Sequence, residues 1–539
     1  MKISGKLVDI HNREIYPAEI TILKGKIERI ERTGSSPNQY ILPGLIDAHI
    51  HIESSMVTPG AFSMSAVKHG TTGVVSDPHE IANVLGEKGV RFMLKDAEKV
   101  PLRFWFGAPS CVPATSFETS GAILDYKAVK RLLRIKKINY LSEMMNFPGV
   151  VFKDPEVISK LNIAKELNKP VDGHAPGLTG ELLKNYVAAG ISTDHECSTL
   201  SEALEKISLG MKILIREGSA AKNLESLKEL LKLHPNMVML CSDDLHPETL
   251  QVRHINKIIG KLITEDYNLF DVIRSATINP AVHYNLDSGL LRKGDKADFI
   301  LVDDLKTMNV SETRINGKKV FSSGRVMFSY KPGLPVNKFN CSKVSGKDIR
   351  VLNKKGKIRI IHAFEGELLS KEIVQESGGN HFLETDTEKD VLKIVVKDRY
   401  NDTPPAIGFI KGFGLKKGAF ASSVAHDSHN IICVGTNDTD IVAAINEIVR
   451  MKGGLSVSSG RQIDSIQLNI GGIMTTRPIS EVATDYQHLN ELVKLQGCSM
   501  ASPFMTLSFM ALLVIPELKI GDRGLFDVRK FELVSLFVK

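Results

Sequence analysis

Two histidines, His49 and His51, stand two residues apart in the apolar stretch GLIDAHIHIESS, which covers residues 44–55. Side chains at positions i and i+2 of a strand point to the same face, so both imidazoles could reach one metal ion. A single histidine in an apolar strand is more often a hydrogen-bonded core residue than a ligand. The pair alone therefore leaves both interpretations open, and the decision depends on polar residues further along the chain.

Further imidazoles and carboxylates follow the apolar stretches of the next two hundred residues. Nitrogen and oxygen ligands without thiolate suit zinc, manganese, iron or cobalt. A carboxylate in the middle of the set could bridge two ions, and two ions about 3.5 Å apart would hold a hydroxide between them. We therefore expect two divalent ions per chain, and the ligand types alone do not decide among these metals. The candidate residues are His49, His51, Glu143, His174, His195, Asp243 and Asp244.

The elements that must position these residues are eight short apolar strands, separated by amphipathic helical segments. The strands are GLIDAHIH, TGVVSD, LRFWFG, NYLSEM, PVDGHA, ISTDHE, MKILIR and MVMLCSD. Eight such units in about 240 residues are what a (β/α)₈ barrel needs, and its active site lies where the carboxyl ends of the strands open. We therefore predict an α/β fold with a TIM-like (β/α)₈ barrel over residues 43–284 and the candidate residues at one mouth.

The segments on either side of the predicted barrel have a different character. Residues 1–42 and 285–338 alternate polar and apolar positions between turn glycines, which predicts one small β-sandwich domain built from both flanks. Residues 339–539 combine strand patterns with TDIVAAINEIVRMKGG, which is typical of a helix closed by glycines. This predicts a third domain of α+β character.

Composition excludes several classes of function for this chain of 539 residues. The net charge of +7 without a basic block does not favour nucleic-acid binding, and no apolar run is long enough to span a membrane. The N-terminal residues lack the apolar core of a signal peptide, and the six cysteines form no CxxC pair. We expect a cytoplasmic enzyme that acts on a small molecule and forms a homo-oligomer.

Several of these motifs resemble those of the metal-dependent amidohydrolase superfamily. PGLIDAHIHIESS, VDGHAPGLTG, STDHE and CSDDLHP match its first, fifth, sixth and eighth strands, and the similarity covers residues 1–330. Within that superfamily the chain is most similar to the bacterial adenine deaminases. The motifs that carry this are HIHIESSMVTPGAF, TTGVVSDPHEIANVLG and GFGLKKGAFASSVAHDSHNIICVGTND.

The resemblance implies a role for each candidate residue. His49 and His51 would hold one ion, His174 and His195 the other, and Glu143 would bridge them. The ions would be Mn²⁺ or Fe²⁺, with Zn²⁺ as an alternative. Asp243 would touch a metal and move protons, a role that we assign to it rather than to Asp244. The reaction implied is attack of a metal-activated hydroxide on C6 of adenine, which gives hypoxanthine and ammonia in purine salvage and adenine catabolism.

Other polar residues near the predicted mouth allow two interpretations. Asp77, His79 and Glu80 in SDPHEIAN could be the first turn of a helix with Asp77 as its cap. They could instead contact substrate or the metal ligands, or hold an additional metal. Arg216 could face the substrate or form a surface salt bridge, and Asp244 could contact the substrate or stiffen its loop.

The C-terminal segment AHDSHN leaves its function open. It contributes His426, Asp427 and His429, which as a short motif are more commonly part of a turn than of a site. The resemblance to deaminases raises the chance that they lie near the barrel mouth.

Two other functions remain as alternatives to adenine deamination. The first is another binuclear metallohydrolase of the same fold, either a cyclic amide hydrolase or a deacetylase. Cyclic amide hydrolases of the superfamily carry a carboxylated lysine on the fourth strand, where this chain has Glu143, so this feature favours the deaminase. The second is a scaffold that has lost catalysis, which the complete set of ligand positions disfavours.

Overall fold

The computed structural model describes residues 1–538 and contains two compact units. The first comprises Met1–Pro78, Arg91–Ser110 and Asp125–Gly333. The second comprises His79–Val90, Cys111–Leu124 and the chain from Leu334 onward. Two short segments from within the predicted barrel range thus pack with the C-terminal part of the chain. The predicted α/β class is confirmed.

One sheet of the first unit is built from both flanks of the chain. Its N-terminal strands are β1 (Lys2–Asp9), β2 (Glu14–Leu23), β3 (Lys26–Arg32) and β4 (Tyr40–Pro43). The parallel strands β5–β13 and the helices α1–α14 follow β4 along the chain and are given below. The later strands of the sheet are β14 (Phe299–Val302), β15 (Val310–Ile315), β16 (Lys318–Ser322) and β17 (Arg325–Val326). The two sets join where β4 pairs antiparallel with β14. That this eight-stranded sheet folds into a sandwich stays a prediction.

Parallel strands carry the candidate residues, and one lies in each of the eight segments predicted as strands. Six strands form a sheet in the order β13-β5-β6-β7-β8-β9, and three form a second sheet in the order β10-β11-β12. The strands are β5 (Leu45–His51), β6 (Thr71–Ser76), β7 (Arg103–Ala108), β8 (Ile138–Met144), β9 (Val171–Gly173), β10 (Thr193–Asp194), β11 (Lys212–Arg216), β12 (Val238–Cys241) and β13 (Asp243–Asp244).

Helices alternate with these strands along the chain. Many begin at a side chain that caps the exposed amides of the first turn; Asp154, for example, accepts from the amides of Glu156 and Val157. Three short 3₁₀ segments cover Ile52–Ser55, Val67–His69 and Pro235–Met237. The helices are α1 (Pro59–Ala66), α2 (His79–Leu85), α3 (Glu87–Ala97), α4 (Tyr126–Leu133), α5 (Phe147–Val151), α6 (Pro155–Glu166), α7 (Gly180–Ala188), α8 (Leu200–Ser208), α9 (Leu224–Leu227), α10 (Leu230–Leu233), α11 (Pro247–Val252), α12 (Ile255–Thr264), α13 (Leu269–Ser275) and α14 (Ile278–His283).

The core of the first unit explains why the parallel strands read as apolar runs. Every residue of β5 is buried, and Leu45, Ile213 and Leu240 belong to one cluster that the helices cover. Strands buried on both faces carry few polar residues, so those that remain require a partner or a function. Asp47 has a partner, because its carboxylate accepts from the Ser242 amide at 3.0 Å and lies 2.9 Å from His254 Nε2.

The second unit contains a mixed sheet and further helices. The sheet order is β19-β18-β21-β20-β23-β22-β24-β25, with β29 beside β18, and β26–β28 form a separate small sheet. Its strands are β18 (Lys357–Ala363), β19 (Ser370–Glu376), β20 (Leu392–Lys397), β21 (Ala406–Lys411), β22 (Ala419–Ser422), β23 (Ile431–Gly435), β24 (Gly454–Ser459), β25 (Gln462–Gln467), β26 (Leu518–Gly521), β27 (Gly524–Asp527), β28 (Glu532–Val534) and β29 (Phe537–Val538).

The helices of this part of the chain are α15 (Asp438–Met451), α16 (Ile479–Leu495) and α17 (Pro503–Phe509). The predicted helix over TDIVAAINEIVRMKGG corresponds to α15, which packs on β22, β23 and β24. Its left-handed closing residue is Lys452 rather than a glycine, with φ of 57°. Gly453 follows with φ of 120°, a conformation that L side chains rarely adopt.

No helix among residues 1–538 combines the length and the low polarity that crossing a bilayer would require.

Candidate metal centre

Six side chains converge where the parallel strands of the first unit end. Two of them close β5, one is the last but one residue of β8, two directly follow β9 and β10, and one begins β13. All six are buried. We call them the histidine–carboxylate cluster, and they are His49, His51, Glu143, His174, His195 and Asp243.

Glu143 lies between three imidazoles. Its Oε2 is 2.8 Å from His174 Nδ1 and 3.0 Å from His195 Nε2. Its Oε1 is 3.5 Å from His51 Nε2, on the other side of the carboxylate. The two oxygens of Glu143 therefore face different histidines, which is the arrangement that a carboxylate between two cations requires.

Asp243 faces the two histidines of the first parallel strand. Its Oδ1 is 3.2 Å from His51 Nε2 and 3.5 Å from His49 Nε2, and the two ring nitrogens are themselves 3.2 Å apart. Asp243 has a φ of 53°, in the left-handed region that non-glycine residues rarely occupy. Such backbone conformations concentrate at functional sites, where the surrounding structure holds them in place.

The cluster holds its carboxylates ionised. Burial raises the pKa of Glu143, but the charges of His174 and His195 and their hydrogen bonds outweigh it and hold that pKa well below its usual range. Burial likewise raises the pKa of Asp243, but hydrogen bonds from His49 and His51 and the charge of Arg216 hold it well below 3.8. Burial lowers the pKa of His174, yet Glu196 and Glu143 raise it to about 9.

These ligand atoms fit divalent metal ions. One ligand atom each from His49, His195 and Asp243 lie within 4.8 Å of one another, and the same holds for Glu143, His174 and His195. Protons on the imidazoles balance the carboxylates when no ion is bound, and a metal would take their place because a histidine ligand must be deprotonated. The donor set of imidazoles and carboxylates suits zinc, manganese and iron.

Arg216 is buried and contacts carboxylates inside the site. Its Nη1 donates to Asp243 Oδ2 at 2.8 Å, and its Nη2 donates to Glu196 Oε2 at 2.9 Å. Nη1 also donates to the other oxygen of Glu196, which makes that pair bidentate. Arg216 therefore forms no surface salt bridge, and it anchors the oxygen of Asp243 that faces away from His49 and His51.

A buried lysine supports the segment that carries His195. Lys206 Nζ donates to Glu202 at 2.7 Å, to the Ala175 carbonyl at 2.7 Å and to Asp194. Burial raises the pKa of Asp194, but Lys206 lowers it to about 2. Asp194, Cys197 and Glu202 lie close enough together to suggest a metal site, but the Lys206 ammonium already occupies that position.

The remaining predicted residues are distributed between the two units. One ligand atom of Asp77 lies within 4.8 Å of ligand atoms of His51 and Glu143, so Asp77 joins the rim of the cluster. Asp77 is not the residue directly before α2, which begins at His79. Asp244 accepts from Ser54 Oγ, which ties it to the 3₁₀ turn after β5. His79 and Glu80 belong to the second unit, together with His426.

The buried carboxylates Glu196 and Asp172 were not predicted from the sequence as site residues. Glu196 lies 3.7 Å from His174 Nδ1 and 3.5 Å from His195 Nε2. Its position directly after His195, with a buried arginine at the end of the next strand, is the signal that could have indicated it. Burial raises the pKa of Asp172 to about 7, although the charge of His49 opposes this.

Comparison with known proteins gives two family matches. Residues 40–326 match the model of the amidohydrolase family, a range that contains the whole histidine–carboxylate cluster. Residues 368–532 match the model described as the adenine deaminase C-terminal domain, a range that contains His426, Asp427 and His429.

Full-length curated relatives are also similar to this chain. The adenine deaminase of Methanosarcina mazei is 51% identical, and the alignment covers 99% of each chain. The adenine deaminase of Methanosarcina barkeri is 52% identical over 99% of this chain and 98% of the relative. The adenine deaminase of Borreliella burgdorferi is 47% identical over 99% of each.

Proposed function

The chain belongs to the amidohydrolase family and, within it, to the adenine deaminases, and from this premise we propose that it hydrolyses adenine to hypoxanthine and ammonia at the histidine–carboxylate cluster. The observation that carries the assignment of the site is the position of Glu143 between His51, His174 and His195. A carboxylate so placed can serve two cations and leaves no position for a lysine ligand on β8.

The metals would divide the cluster between them. His49, His51 and Asp243 would hold one ion, His174 and His195 the other, and Glu143 would contact both. A bound divalent ion would supply a water whose pKa is lowered toward neutrality, and hence a nucleophile at pH 7. Two ions per chain, Mn²⁺ or Fe²⁺ with Zn²⁺ as the alternative, stay part of this proposal.

Asp243 is placed to move the protons of the reaction. Its Oδ1 faces the imidazoles, where the attacking water would lie, and Arg216 holds its Oδ2 at 2.8 Å. The carboxylate accepts the proton of the water as the oxygen attacks C6 of adenine. Asp243 then donates a proton to the departing amine, so that ammonia leaves and the carboxylate is regenerated. Burial of the cluster keeps bulk water from competing in this transfer.

We also infer that the strands β5–β13 close into a (β/α)₈ barrel. β12 pairs with β11 and β13 pairs with β5, and only Ser242 separates β12 from β13. The Ser192 amide donates to the Val171 carbonyl at 3.0 Å, which supports contact between the segments of β9 and β10. The boundaries 1–42 with 285–338, 43–284 and 339–539, assembly as a homo-oligomer and a cytoplasmic location stay predictions.

The test is ammonia release from adenine by the purified chain supplied with Mn²⁺ or Fe²⁺ under anaerobic conditions. Glu143→Gln keeps the shape of the side chain and removes its charge, so we expect it to abolish release. The control is Glu98→Gln, an exposed glutamate that pairs with Lys137 on the surface, which should keep wild-type activity. Adenosine, cytosine and guanine, assayed in parallel, define the substrate. Wild-type activity in Glu143→Gln would refute the site.

A further inference from the structure

The four imidazoles of the histidine–carboxylate cluster are held in two different ways. His49 and His51 belong to β5, a strand of seven residues with a parallel neighbour on each side. Between them, Ile50 pairs with Ser76 of β6 and with Asp243 of β13, so the backbone of β5 is held on both edges. The hydrogen bonds of the sheet therefore position this pair of ligands.

The other two imidazoles lie outside the strands that lead to them. β9 has three residues and β10 has two, and they end directly before His174 and His195. The parallel pairing of β8 with β9 stops at Gly173, and that of β10 with β11 stops at Asp194. Strands that end before the ligand do not fix its backbone, so His174 and His195 require support from elsewhere.

The hydroxyl of Tyr186 supports His174. Tyr186 is a fully buried residue of α7. Its Oη accepts from the His174 amide at 3.1 Å and donates to the Met144 carbonyl at 2.9 Å. Met144 directly follows Glu143, so one oxygen atom joins the backbone beside Glu143 to the backbone of His174. The side chains at these two positions are the pair whose Oε2 and Nδ1 atoms lie 2.8 Å apart.

The absence of a side chain at Gly173 leaves room for this hydroxyl. A Cβ at that position would lie 3.0 Å from Tyr186 Oη and 2.4 Å from the carbonyl oxygen of Thr193 in β10. A larger residue would therefore displace either the hydroxyl or β10, and with them the backbone that leads to His174.

The side-chain amide of Asn223 supports His195. Its Nδ2 donates to the His195 carbonyl at 3.0 Å and to the Cys197 carbonyl at 3.1 Å. Its Oδ1 accepts from the amide of Arg216, the residue whose guanidinium binds Asp243, at 2.8 Å. Asn223 directly precedes α9 but makes no side-chain capping hydrogen bond to it. These three hydrogen bonds instead join the chain after β10 to the end of β11.

We propose that Tyr186 and Asn223 are positioning residues for His174 and His195, which they hold through the backbone where β9 and β10 are too short to do so. This inference rests on the proposed function, in which those two histidines hold one of two ions. It deepens that function by assigning the residues that keep one half of the metal centre in place.

The proposal predicts that the two ions respond differently when this support is removed. The ion held by His174 and His195 should bind more weakly, because its ligands lose their fixed backbone. The ion held by His49 and His51 should be retained, because β5 positions those ligands through the sheet. Residues behind the ligands of a metal typically change its affinity by about 10–100-fold.

Stepwise removal of metal from the full-length protein tests this selectivity. Wild type, Tyr186→Phe and Asn223→Ala are loaded with Mn²⁺, dialysed against increasing concentrations of chelator and measured by mass spectrometry for metal per chain. We expect one of two equivalents to leave each variant at a chelator concentration about 10-fold below that needed for wild type. The second equivalent should leave at the wild-type concentration.

Asn279 provides a matched control for Asn223. It is also buried, and its Nδ2 also donates to two backbone carbonyls, those of Pro235 at 2.7 Å and Val238 at 2.6 Å. Val238 is the first residue of β12, whereas the cluster lies where the parallel strands end. Asn279→Ala therefore removes hydrogen bonds of the same kind and should keep both ions as wild type does.

The control for Tyr186→Phe is Tyr267→Phe, which removes a hydroxyl that donates to Glu229 at 2.5 Å. Simultaneous loss of both equivalents in Tyr186→Phe overturns the proposal, as does wild-type retention of both in folded Tyr186→Phe and Asn223→Ala. Equal metal loss in Asn279→Ala and Asn223→Ala overturns it as well, because a general loss of stability would then suffice.

The metal count distinguishes this inference from the proposed function because it uses no substrate. Wild-type metal retention in the variants refutes the positioning role even when the wild-type protein deaminates adenine. A wild-type protein that binds no metal refutes the metal centre itself, and the inference with it.

Hydrogen exchange of the metal-free wild type covers the case in which the variants do not fold. The proposal requires that Tyr186 hold the His174 amide before any metal binds. We therefore expect slow exchange of that amide in metal-free protein, measured by mass spectrometry on peptides that cover residues 171–176. Rapid exchange that becomes slow only after addition of Mn²⁺ would mean that the ion orders this segment, and it overturns the role of Tyr186.

Discussion

Replacement of Arg216 by glutamine tests whether the buried guanidinium keeps the Asp243 carboxylate ionised. The change removes the positive charge that both Asp243 and Glu196 contact and leaves two buried carboxylates beside each other. Without Arg216 the pKa of Asp243 should rise, because the charge that opposed burial is gone. The carboxylate then needs a higher pH to accept a proton from water.

The expected losses of stability and of activity in Arg216→Gln can be estimated from the distance between the two charges. Unit charges at the 2.8 Å separation of Arg216 and Asp243 interact by roughly 6 kcal/mol at an effective dielectric constant of about 20. Part of this is recovered because the guanidinium no longer has to be desolvated. Removal of one partner of a buried ion pair lowers the free energy of unfolding by about 3–5 kcal/mol, and we expect a loss of that size in Arg216→Gln. Loss of a positioned proton acceptor should lower kcat/KM by about 100-fold or more at pH 7.

The assay is kcat/KM for adenine as a function of pH, together with denaturant unfolding of the same preparations. In Arg216→Gln the acidic limb of the profile should move to higher pH, so the deficit relative to wild type should shrink as pH rises. Arg292→Gln is the control, since that exposed arginine pairs only with Asp295 close to it in sequence. Glu196→Gln combined with Arg216→Gln removes one of the two stranded carboxylates and should restore part of the lost stability.

Arg216 does not act on Asp243 if Arg216→Gln behaves as Arg292→Gln does in both measurements. The same conclusion follows if stability falls but the acidic limb of the pH profile does not move, because Arg216 would then support the fold alone.

Three further changes have defined outcomes. Asp243→Asn and Asp243→Ala should both lose ammonia release. The free energy of unfolding should be about 1 kcal/mol lower in the alanine variant than in the asparagine variant, because asparagine tolerates the left-handed φ of 53°; equal free energies of unfolding would contradict this. Burial lowers the pKa of Lys519 to about 7, so between pH 7 and about 10.4 the unfolded chain binds the additional proton and stability should rise with pH. Lys519→Met should reduce the slope of unfolding free energy against pH, whereas the exposed control Lys530→Met should keep the wild-type slope. A wild-type slope in Lys519→Met would contradict the lowered pKa of Lys519. Lys206→Met leaves Asp194 and Glu202 unpaired and should cost about 3–5 kcal/mol of stability, with release of metal from the cluster at lower chelator concentration than in wild type; wild-type values in both would exclude the supporting role of Lys206.

The parallel strands could be predicted from the sequence because their signal is local. Segments such as MKILIR and MVMLCSD are apolar on both faces, and polar residues follow where such strands end. The spacing of His49 and His51 and the isolated Glu143 in NYLSEM indicated which side chains could meet. The structure places His51 Nε2 3.2 Å from His49 Nε2 and 3.5 Å from Glu143 Oε1, and that these residues bind metal stays a prediction.

Contacts between distant segments could not be predicted in the same way. The sequence shows Glu196 and Arg216 near the ends of successive strands, but it does not show that they pair, because that pairing depends on how the adjacent parallel strands align. The packing of residues 79–90 with the C-terminal part of the chain is likewise a property of the fold. Local pattern predicted the start of a helix there but carried no information about what the helix packs against.

The pairing of β13 with β5 has a consequence for when the histidine–carboxylate cluster can form. Asp243 lies opposite Ile50, and Asp244 lies opposite His51, so the first and last strands of the parallel series meet at Asp243. A nascent chain that has emerged from the ribosome only as far as Cys241 already contains the four imidazoles and Glu143, but it lacks this junction. The complete set of six side chains therefore exists only after synthesis of nearly half of the polypeptide, so the histidine–carboxylate cluster cannot assemble on any shorter chain.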